Sequence, residues 1–149
     1  MTKDTYRIFV INTGSTSTKV ALYENTTEIQ RKELFVPQEE LANSRTAIDQ
    51  LDYRTRVVKE FMKEAGIDIH SIDIIAARGG PIVPCEGGAY AVNDLMIDVL
   101  TYEPFSPHES ALSCIIGRNL VEGTDIPVII YDSVVTLEYQ LLATISGLP

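Results

Sequence analysis

The sequence predicts an α/β fold with one mixed sheet, in the element order β-β-β-α-β-α-α-β-α. Two patterns support this prediction. The first 36 residues contain three short runs rich in apolar and β-branched residues, separated by polar turns too short to hold a helix. From residue 52 onward, amphipathic helical segments alternate with two short apolar runs, which is typical of strands joined by helices.

The three opening strands are predicted at 8–11, 18–23 and 28–36. The first is a continuous apolar run, which indicates a strand buried on both faces. A polar turn at 24–27 makes the third strand antiparallel to the second. Residues 37–45 show no strong periodicity and are predicted to be a connection.

A long helix is predicted over 52–65. Leu51, Val58 and Met62 fall on one apolar face, and Gly66 is a suitable C-terminal stop. Its charged residues are interpreted as the solvent-exposed side; these are Arg54, Arg56, Lys59, Glu60, Lys63 and Glu64.

Five further elements complete the prediction. They are a strand at 72–77, a helix capped by Asn93 and ending at Leu100, a helix from His108 or Ser110 to Leu120 or Val121, a strand at 127–131, and a helix at 136–145. Gly117 lies inside the helix that begins at His108 or Ser110, and it indicates close packing there, because glycine otherwise destabilises a helix.

The charge balance argues against one class of partner. Acidic residues outnumber basic ones by 21 to 12 among 149 residues, which gives a net charge of -9. A field of that sign repels phosphate backbones and disfavours nucleic-acid binding. Cys85 and Cys114 do not form a disulfide or zinc pattern and are interpreted as reduced thiols in or near the core. No apolar run is long enough for a signal peptide or membrane span, which predicts a cytoplasmic protein.

The most distinctive stretch is the turn at 12–19, where short hydroxyl and amide side chains follow the first strand. These donors, the turn's backbone N–H groups and Lys19 suit an anion with several oxygens, such as phosphate. Gly14 is expected to adopt a backbone geometry that other residues resist. The same composition also fits an ordinary polar hairpin turn. It is not a Walker A loop, because Lys19 leads into a strand-like apolar run and not into a helix.

Polar residues or glycines follow three of the predicted strands, at 12–19, at 78–80 and at Asp132. In open α/β sheets, ligands bind at the carboxyl ends of the strands. We therefore expect these three sites to lie at one edge of the sheet, which strengthens the prediction of an anion site.

Segments spread in order over essentially the whole chain resemble the acetate kinase and butyrate kinase family, most closely its butyrate kinase branch. They are residues 12–19, 49–54, 78–80, 86–93, 107–110 and 145–149. The resemblance implies a ribonuclease H-like domain of the acetate and sugar kinase/actin superfamily, whose members carry two such domains facing a cleft. It also implies interconversion of butyrate, or a related short-chain fatty acid, and ATP with acyl phosphate and ADP, using Mg²⁺.

Matching positions imply roles for individual residues. Asp132, His108 and Arg78 would be catalytic, and Asn12 and Asp132 would lie on the Mg²⁺ side. Each catalytic assignment keeps an alternative: Asp132 as a cap of the following segment, His108 as a helix N-terminal residue, and Arg78 as a structural ion-pair partner. The residues implied to bind the nucleotide phosphates are Asn12, Gly14, Ser15, Ser17 and Lys19.

Family members are more than twice as long as this chain, so residues 1–149 are predicted to be a single N-terminal domain without the nucleotide-binding domain. We therefore expect weak or absent kinase activity from the chain alone. Exposed apolar surface on such a half predicts self-association into a homo-oligomer. The alternative is a non-catalytic ribonuclease H-like module that binds an anion or a partner protein.

Overall fold

The computed structural model describes residues 3–102, 104, 106–136 and 145. Within these residues, three short 3₁₀ helices (Ala47–Gln50, Ile69–Ser71 and Glu109–Ala111) accompany six strands and four α-helices. The strands and α-helices are β1 (Arg7–Thr13), β2 (Ser17–Glu24), β3 (Thr27–Phe35), α1 (Gln38–Asn43), α2 (Leu51–Glu64), β4 (Ile74–Ala77), β5 (Ala89–Ala91), α3 (Asp94–Tyr102), α4 (Leu112–Leu120) and β6 (Val128–Tyr131).

The six strands form one mixed sheet in the order β3-β2-β1-β4-β6-β5. Strands β1, β4 and β6 are neighbours and run parallel to one another. The antiparallel meander of β2 and β3 extends the sheet beyond β1, and β5 pairs antiparallel with β6 at the other side. The predicted mixed sheet is confirmed. Because the three central strands are parallel, their carboxyl ends lie at the same edge.

Strand β1 shows how the core is built on one face of the sheet. Phe9 and Ile11 are fully buried, as is Ile130 of β6, and helix α4 packs against β1, β4 and β6 on that side. Ile8 and Val10 alternate to the other face and are only half-buried. The prediction that β1 is buried on both faces is therefore wrong for one face. Helices α2 and α4 pack against each other.

Helix α2 ends as its sequence predicts. Gly66 has a φ of 66°, the left-handed conformation that glycine adopts most easily. Its N–H donates to the Lys63 carbonyl at 3.2 Å, and the N–H of Ile67 donates to the Met62 carbonyl at 2.8 Å. These two bonds form a Schellman motif. On the inner face, Val58 and Met62 are buried.

Two elements are not among those that the sequence predicts. Helix α1 falls within 37–45 and buries none of its residues, so no hydrophobic period indicates it. Its first turn carries Glu39 and Glu40, which favour a helix N-terminus. Strand β5 has only three residues and depends on its pairing with β6. Most of the helix predicted at 136–145 lies outside the described residues.

Buried positions on α4 behave as predicted. A Cβ on Gly117 would lie 2.9 Å from Cγ1 of Val128, so the helix approaches β6 too closely for a side chain there. Cys114 is fully buried and Cys85 half-buried, both as free thiols. Burial raises the pKa of the Cys114 thiol to about 12, which makes it unreactive at neutral pH.

Among the described helices, none has the length and apolarity to cross a membrane.

Candidate active site

The three predicted strand-end sites come together at one edge of the sheet. Strands β1, β4 and β6 are in register up to their last paired residues, so the residues that follow are neighbours. Arg78 is exposed, and its Nη1 donates a long hydrogen bond to Oδ1 of Asn12 at 3.4 Å. Asp132 follows β6 directly. Tyr131, which the sequence did not single out, is 67% exposed beside them.

The hydroxyl side chains of the turn divide into a buried and an exposed set. Thr13 and Thr18 are fully buried. Oγ1 of Thr13 donates to the carbonyl of Glu109 at 2.6 Å, which ties the end of β1 to the 3₁₀ helix before α4. Ser15 and Thr16 are exposed. Only part of the donor-rich sequence is therefore available to a ligand, because the rest holds the turn against the core.

Gly14 does not need to be glycine for conformational reasons. Its φ is not positive, and a Cβ built on it would meet only the Ser17 carbonyl oxygen, at 3.7 Å. The expectation of a special backbone geometry at this residue is wrong. The turn is closed instead by the N–H of Gly14, which donates to the Ser17 carbonyl at 2.8 Å.

A buried arginine lies beneath the turn. Arg54 of α2 is 0% exposed, so its assignment to the solvent-exposed side of the helix is wrong. Its Nη1 donates to the Ser17 carbonyl at 3.0 Å and to Oγ1 of Thr18 at 2.9 Å, and its Nη2 donates to the carbonyls of Gly14 at 2.8 Å and Ser15 at 3.0 Å. These acceptors satisfy the guanidinium and allow a long charged side chain to point inward.

Ser17 and Lys19 share one acidic neighbour. The Ser17 side chain is buried, and its Oγ donates to Oε1 of Glu33 at 2.6 Å. Nζ of Lys19 lies 3.9 Å from the same oxygen, and its side chain is 63% exposed. The Ser17 hydroxyl and the Lys19 ammonium group therefore both interact with the Glu33 carboxylate. Their roles in binding phosphate stay predictions.

His108 caps the 3₁₀ helix Glu109–Ala111. Its Nδ1 accepts a hydrogen bond from the N–H of Ser110 at 3.1 Å and lies 2.9 Å from Oγ of the same serine. The neutral ring is therefore protonated on Nε2, and the residue as a whole is exposed. Nδ1 of His108 therefore has the structural role, and Nε2 has no hydrogen-bond partner among the residues that the structure describes.

Close packing of two backbones sets the 3₁₀ helix against the end of β4. A Cβ on Gly80 would lie 2.7 Å from both N and Cα of Ala111. From the other side, Oγ of Ser133 donates to the Gly80 carbonyl at 2.9 Å. The glycines after β4 therefore allow the segments that carry Arg78 and His108 to meet.

Asp132 has a strained backbone and binds a preceding loop. Its φ is 44°, which is unusual for a residue with a side chain. Its N–H donates to the Gly88 carbonyl at 3.1 Å, and its Oδ1 accepts from the Gly88 N–H at 2.8 Å. Asp132 thus clamps the loop before β5. Its second carboxylate oxygen has no hydrogen-bond partner among the described residues.

The residues at this edge of the sheet could hold Mg²⁺ only if a bound phosphate supplied further oxygen ligands. Mg²⁺ in phosphate sites is held by one or two carboxylates together with water and phosphate oxygens. Asp132 offers one carboxylate oxygen that has no partner within the described part of the chain, and Asn12 offers an amide oxygen in the same region. Within the described residues there is no group of three or more histidine, cysteine, aspartate or glutamate residues arranged to hold a metal ion.

The chain matches no protein-family model. It is 41% identical over 144 residues to a probable butyrate kinase of Clostridium botulinum, 42% identical over 144 residues to probable butyrate kinase 2 of Caldanaerobacter subterraneus, and 36% identical over 143 residues to butyrate kinase 1 of Clostridium acetobutylicum. These matches cover 96% or 97% of this chain but only 40% or 41% of the relatives. The chain therefore spans about two fifths of the length of the curated relatives.

Two solved structures share the fold. An acetate kinase from Entamoeba histolytica matches with a TM-score of 0.53 at 12% identity, over 84% of this chain and 34% of that one. An acetate kinase from Porphyromonas gingivalis matches with a TM-score of 0.51 at 13% identity, over 85% of this chain and 37% of that one. The predicted α/β fold class is confirmed, because these two acetate kinases share the fold of the chain. Over almost its whole length, the chain is similar in sequence to curated butyrate kinases.

Proposed function

We propose that the chain forms one wall of the active site of a short-chain fatty acid kinase. The enzyme would transfer a phosphoryl group between ATP and butyrate or a similar carboxylate, and in reverse between the acyl phosphate and ADP. The observation that carries this proposal is the contact between Arg78 and Asn12 beside the exposed part of the turn at 14–16. Names of curated relatives support the choice of reaction.

The residues at the edge suit phosphoryl transfer. This reaction needs positioning of the two oxygens in line and neutralisation of charge on the transferred group. An exposed guanidinium such as that of Arg78 can bind two oxygens of a phosphoryl group or of a carboxylate. Nε2–H of His108 supplies a further donor. The acceptor is already a carboxylate, so the site needs no strong general base.

Mg²⁺ bound with the nucleotide would supply positive charge that offsets the phosphate oxygens. Asp132 and Asn12 would hold it, and Asp132 would also keep the loop before β5 in place through Gly88. A cytoplasmic location and assembly into a homo-oligomer belong to the same proposal.

A small apolar cavity supports a short-chain substrate. It has a volume of about 150 Å³ and lies next to His108, between the 3₁₀ helix Ala47–Gln50, the end of α3 and the start of α4. Ile48, Leu100 and Leu112 contribute its apolar walls. A cavity of this kind accommodates the short aliphatic chain of a carboxylate and disfavours a charged group or a sugar in that place.

Transfer activity is tested in a hybrid enzyme. The 143 matched residues of the Clostridium acetobutylicum relative are replaced by those of this chain, and ATP formation from ADP and butyryl phosphate is measured. We expect the hybrid to be active and the chain alone to show little or no turnover. Arg78→Gln in the hybrid should lower kcat/KM at least about 100-fold, and Arg31→Gln, at a 77% exposed side chain on β3, should not.

An inactive but folded hybrid would contradict this proposal. If such a hybrid and the chain alone still bound phosphate at the turn, the result would favour the alternative, a non-catalytic module that binds anions.

Two substitutions separate the charge of Asp132 from its structural role. Asn keeps an oxygen that can accept from the Gly88 N–H and tolerates a φ of 44°. Asp132→Asn should therefore change the free energy of unfolding by less than about 0.5 kcal/mol. Asp132→Ala loses the hydrogen bond and keeps the strain, and should cost about 1–2 kcal/mol. Urea denaturation measures both.

We expect both variants to lose the Mg²⁺ dependence of phosphate binding, measured by calorimetric titration with and without Mg²⁺. If Asp132→Asn retained that dependence, Asp132 would have no role in holding the metal.

A further inference from the structure

Arg54 is a cation buried without an anion. Its side chain is 0% exposed, yet it takes part in none of the ion pairs of the described residues. Burial lowers the pKa of the guanidinium, and the negative charge of Glu109 acts in the opposite direction. Arginine nevertheless stays charged at physiological pH. A positive charge therefore lies directly behind the turn at 14–16.

Arg54 also decides which way the peptide groups of the turn face. The carbonyl oxygens of Gly14 and Ser15 point inward, because both accept from Nη2. In a planar trans peptide the N–H points away from the C=O that precedes it, so the N–H groups of Ser15 and Thr16 face away from Arg54. Neither N–H donates to an acceptor among the described residues, and both residues are exposed.

Two adjacent outward N–H groups with a positive charge behind them suit the binding of an anion. This local arrangement is needed because the chain as a whole has a net charge of -9 and repels anions.

Hydrogen bonds satisfy the five N–H groups of the Arg54 guanidinium, but its positive charge has no ion-pair partner among the described residues. Oε1 of Gln50 accepts from Nε at 3.0 Å and from Nη2 at 2.8 Å. A glutamate has the same shape and would accept both bonds while neutralising the guanidinium. With glutamine at position 50, only neutral groups bond to the guanidinium, and its positive charge remains available to an anion on the far side of the turn.

We propose that Arg54 is a positioning residue. It orients the peptide groups of the turn and places a positive charge behind them, so that the N–H groups of Ser15 and Thr16 bind a tetrahedral oxyanion. The oxyanion is a phosphoryl group or inorganic phosphate. This inference deepens the proposed function and rests on it for the identity of the ligand, but the two can fail separately.

Gln50→Glu tests the charge without removing a hydrogen bond. Gln50 is 5% exposed, and the substitution keeps its contacts with Arg54 while adding a carboxylate. The probe is inorganic phosphate, titrated into the 149-residue chain while the amide NMR signals of Ser15 and Thr16 are followed. We expect phosphate to shift both signals in the wild type, and the affinity to fall about tenfold in Gln50→Glu. A purely structural role for Arg54 predicts no change in affinity.

Asn119→Asp is the matched control, since it adds the same charge at an exposed position near the end of α4. Its phosphate affinity should stay within about twofold of the wild type because salt screens a distant exposed charge. Arg54→Lys keeps a charge but lacks the planar fork, so it should also weaken phosphate binding. It decides the outcome if Gln50→Glu does not fold.

Equal phosphate affinity in the wild type and in folded Gln50→Glu would overturn the inference. So would unchanged affinity in Arg54→Lys, or a wild-type chain in which phosphate leaves the Ser15 and Thr16 amides unshifted. A hybrid enzyme that lacks transfer activity while phosphate binding remains sensitive to Gln50→Glu would reject the proposed function and support the role of Arg54.

Discussion

Gly80→Ala is expected to lower the free energy of unfolding by about 3 kcal/mol. The new Cβ would lie 2.7 Å from backbone atoms of Ala111, and a backbone cannot move aside as a flexible side chain can. The hydrogen bond from Ser133 to the Gly80 carbonyl resists displacement in the opposite direction. Urea denaturation followed by circular dichroism measures the loss.

Gly14→Ala is the control for this prediction, because it adds the same methyl group at the same edge of the sheet. Its nearest neighbour would be the Ser17 carbonyl oxygen at 3.7 Å, an ordinary contact. We expect a change within about 0.5 kcal/mol, of either sign. Equal losses in the two variants would show that the contact between Gly80 and Ala111 does not determine stability.

The second large effect is expected at Arg54. Arg54→Met removes the donor to three turn carbonyls, and the buried acceptors of Thr18 and Gln50 also lose their partner. Buried acceptors without donors cost about 1–3 kcal/mol each, although water can reach some of them after the substitution. We therefore expect a loss of about 3–5 kcal/mol in the free energy of unfolding.

Arg56→Met makes the same change two residues along α2, at a side chain that is 58% exposed and pairs with Glu60 at 3.4 Å. An exposed pair of this kind contributes little, so the loss should be below about 1 kcal/mol. Similar losses in Arg54→Met and Arg56→Met would contradict the role of the buried network.

The two arginines also show a limit of the sequence. On a helix, Arg54 and Arg56 look alike, since hydrophobic periodicity assigns every charged residue to the solvent side. Only the proximity of α2 to the start of β2 brings enough acceptors to Arg54 to offset its burial. The segment 49–54 did carry a signal, because it belongs to the resemblance with the butyrate kinases.

Glycine shows the same limit. Gly14 lies in the most distinctive motif of the chain but adopts a conformation open to other residues, whereas Gly80 is required by a contact with a residue 31 positions away in the sequence. Gly66 and Gly117 could be interpreted correctly, because one terminates a helix and the other interrupts one. Local rules apply to those two positions, while the need for Gly80 depends on which backbones meet.

The sequence by itself determined the α/β class, the three-strand meander, the main helices and the strand ends that carry Asn12, Arg78 and Asp132. These features follow from short-range patterns of apolar residues and turn formers. The tertiary structure decided which donors of the turn face solvent, what holds its carbonyls, and which oxygen of Asp132 binds Gly88. Such features depend on side chains brought together from distant parts of the chain, and the buried charge of Arg54 shows this most clearly.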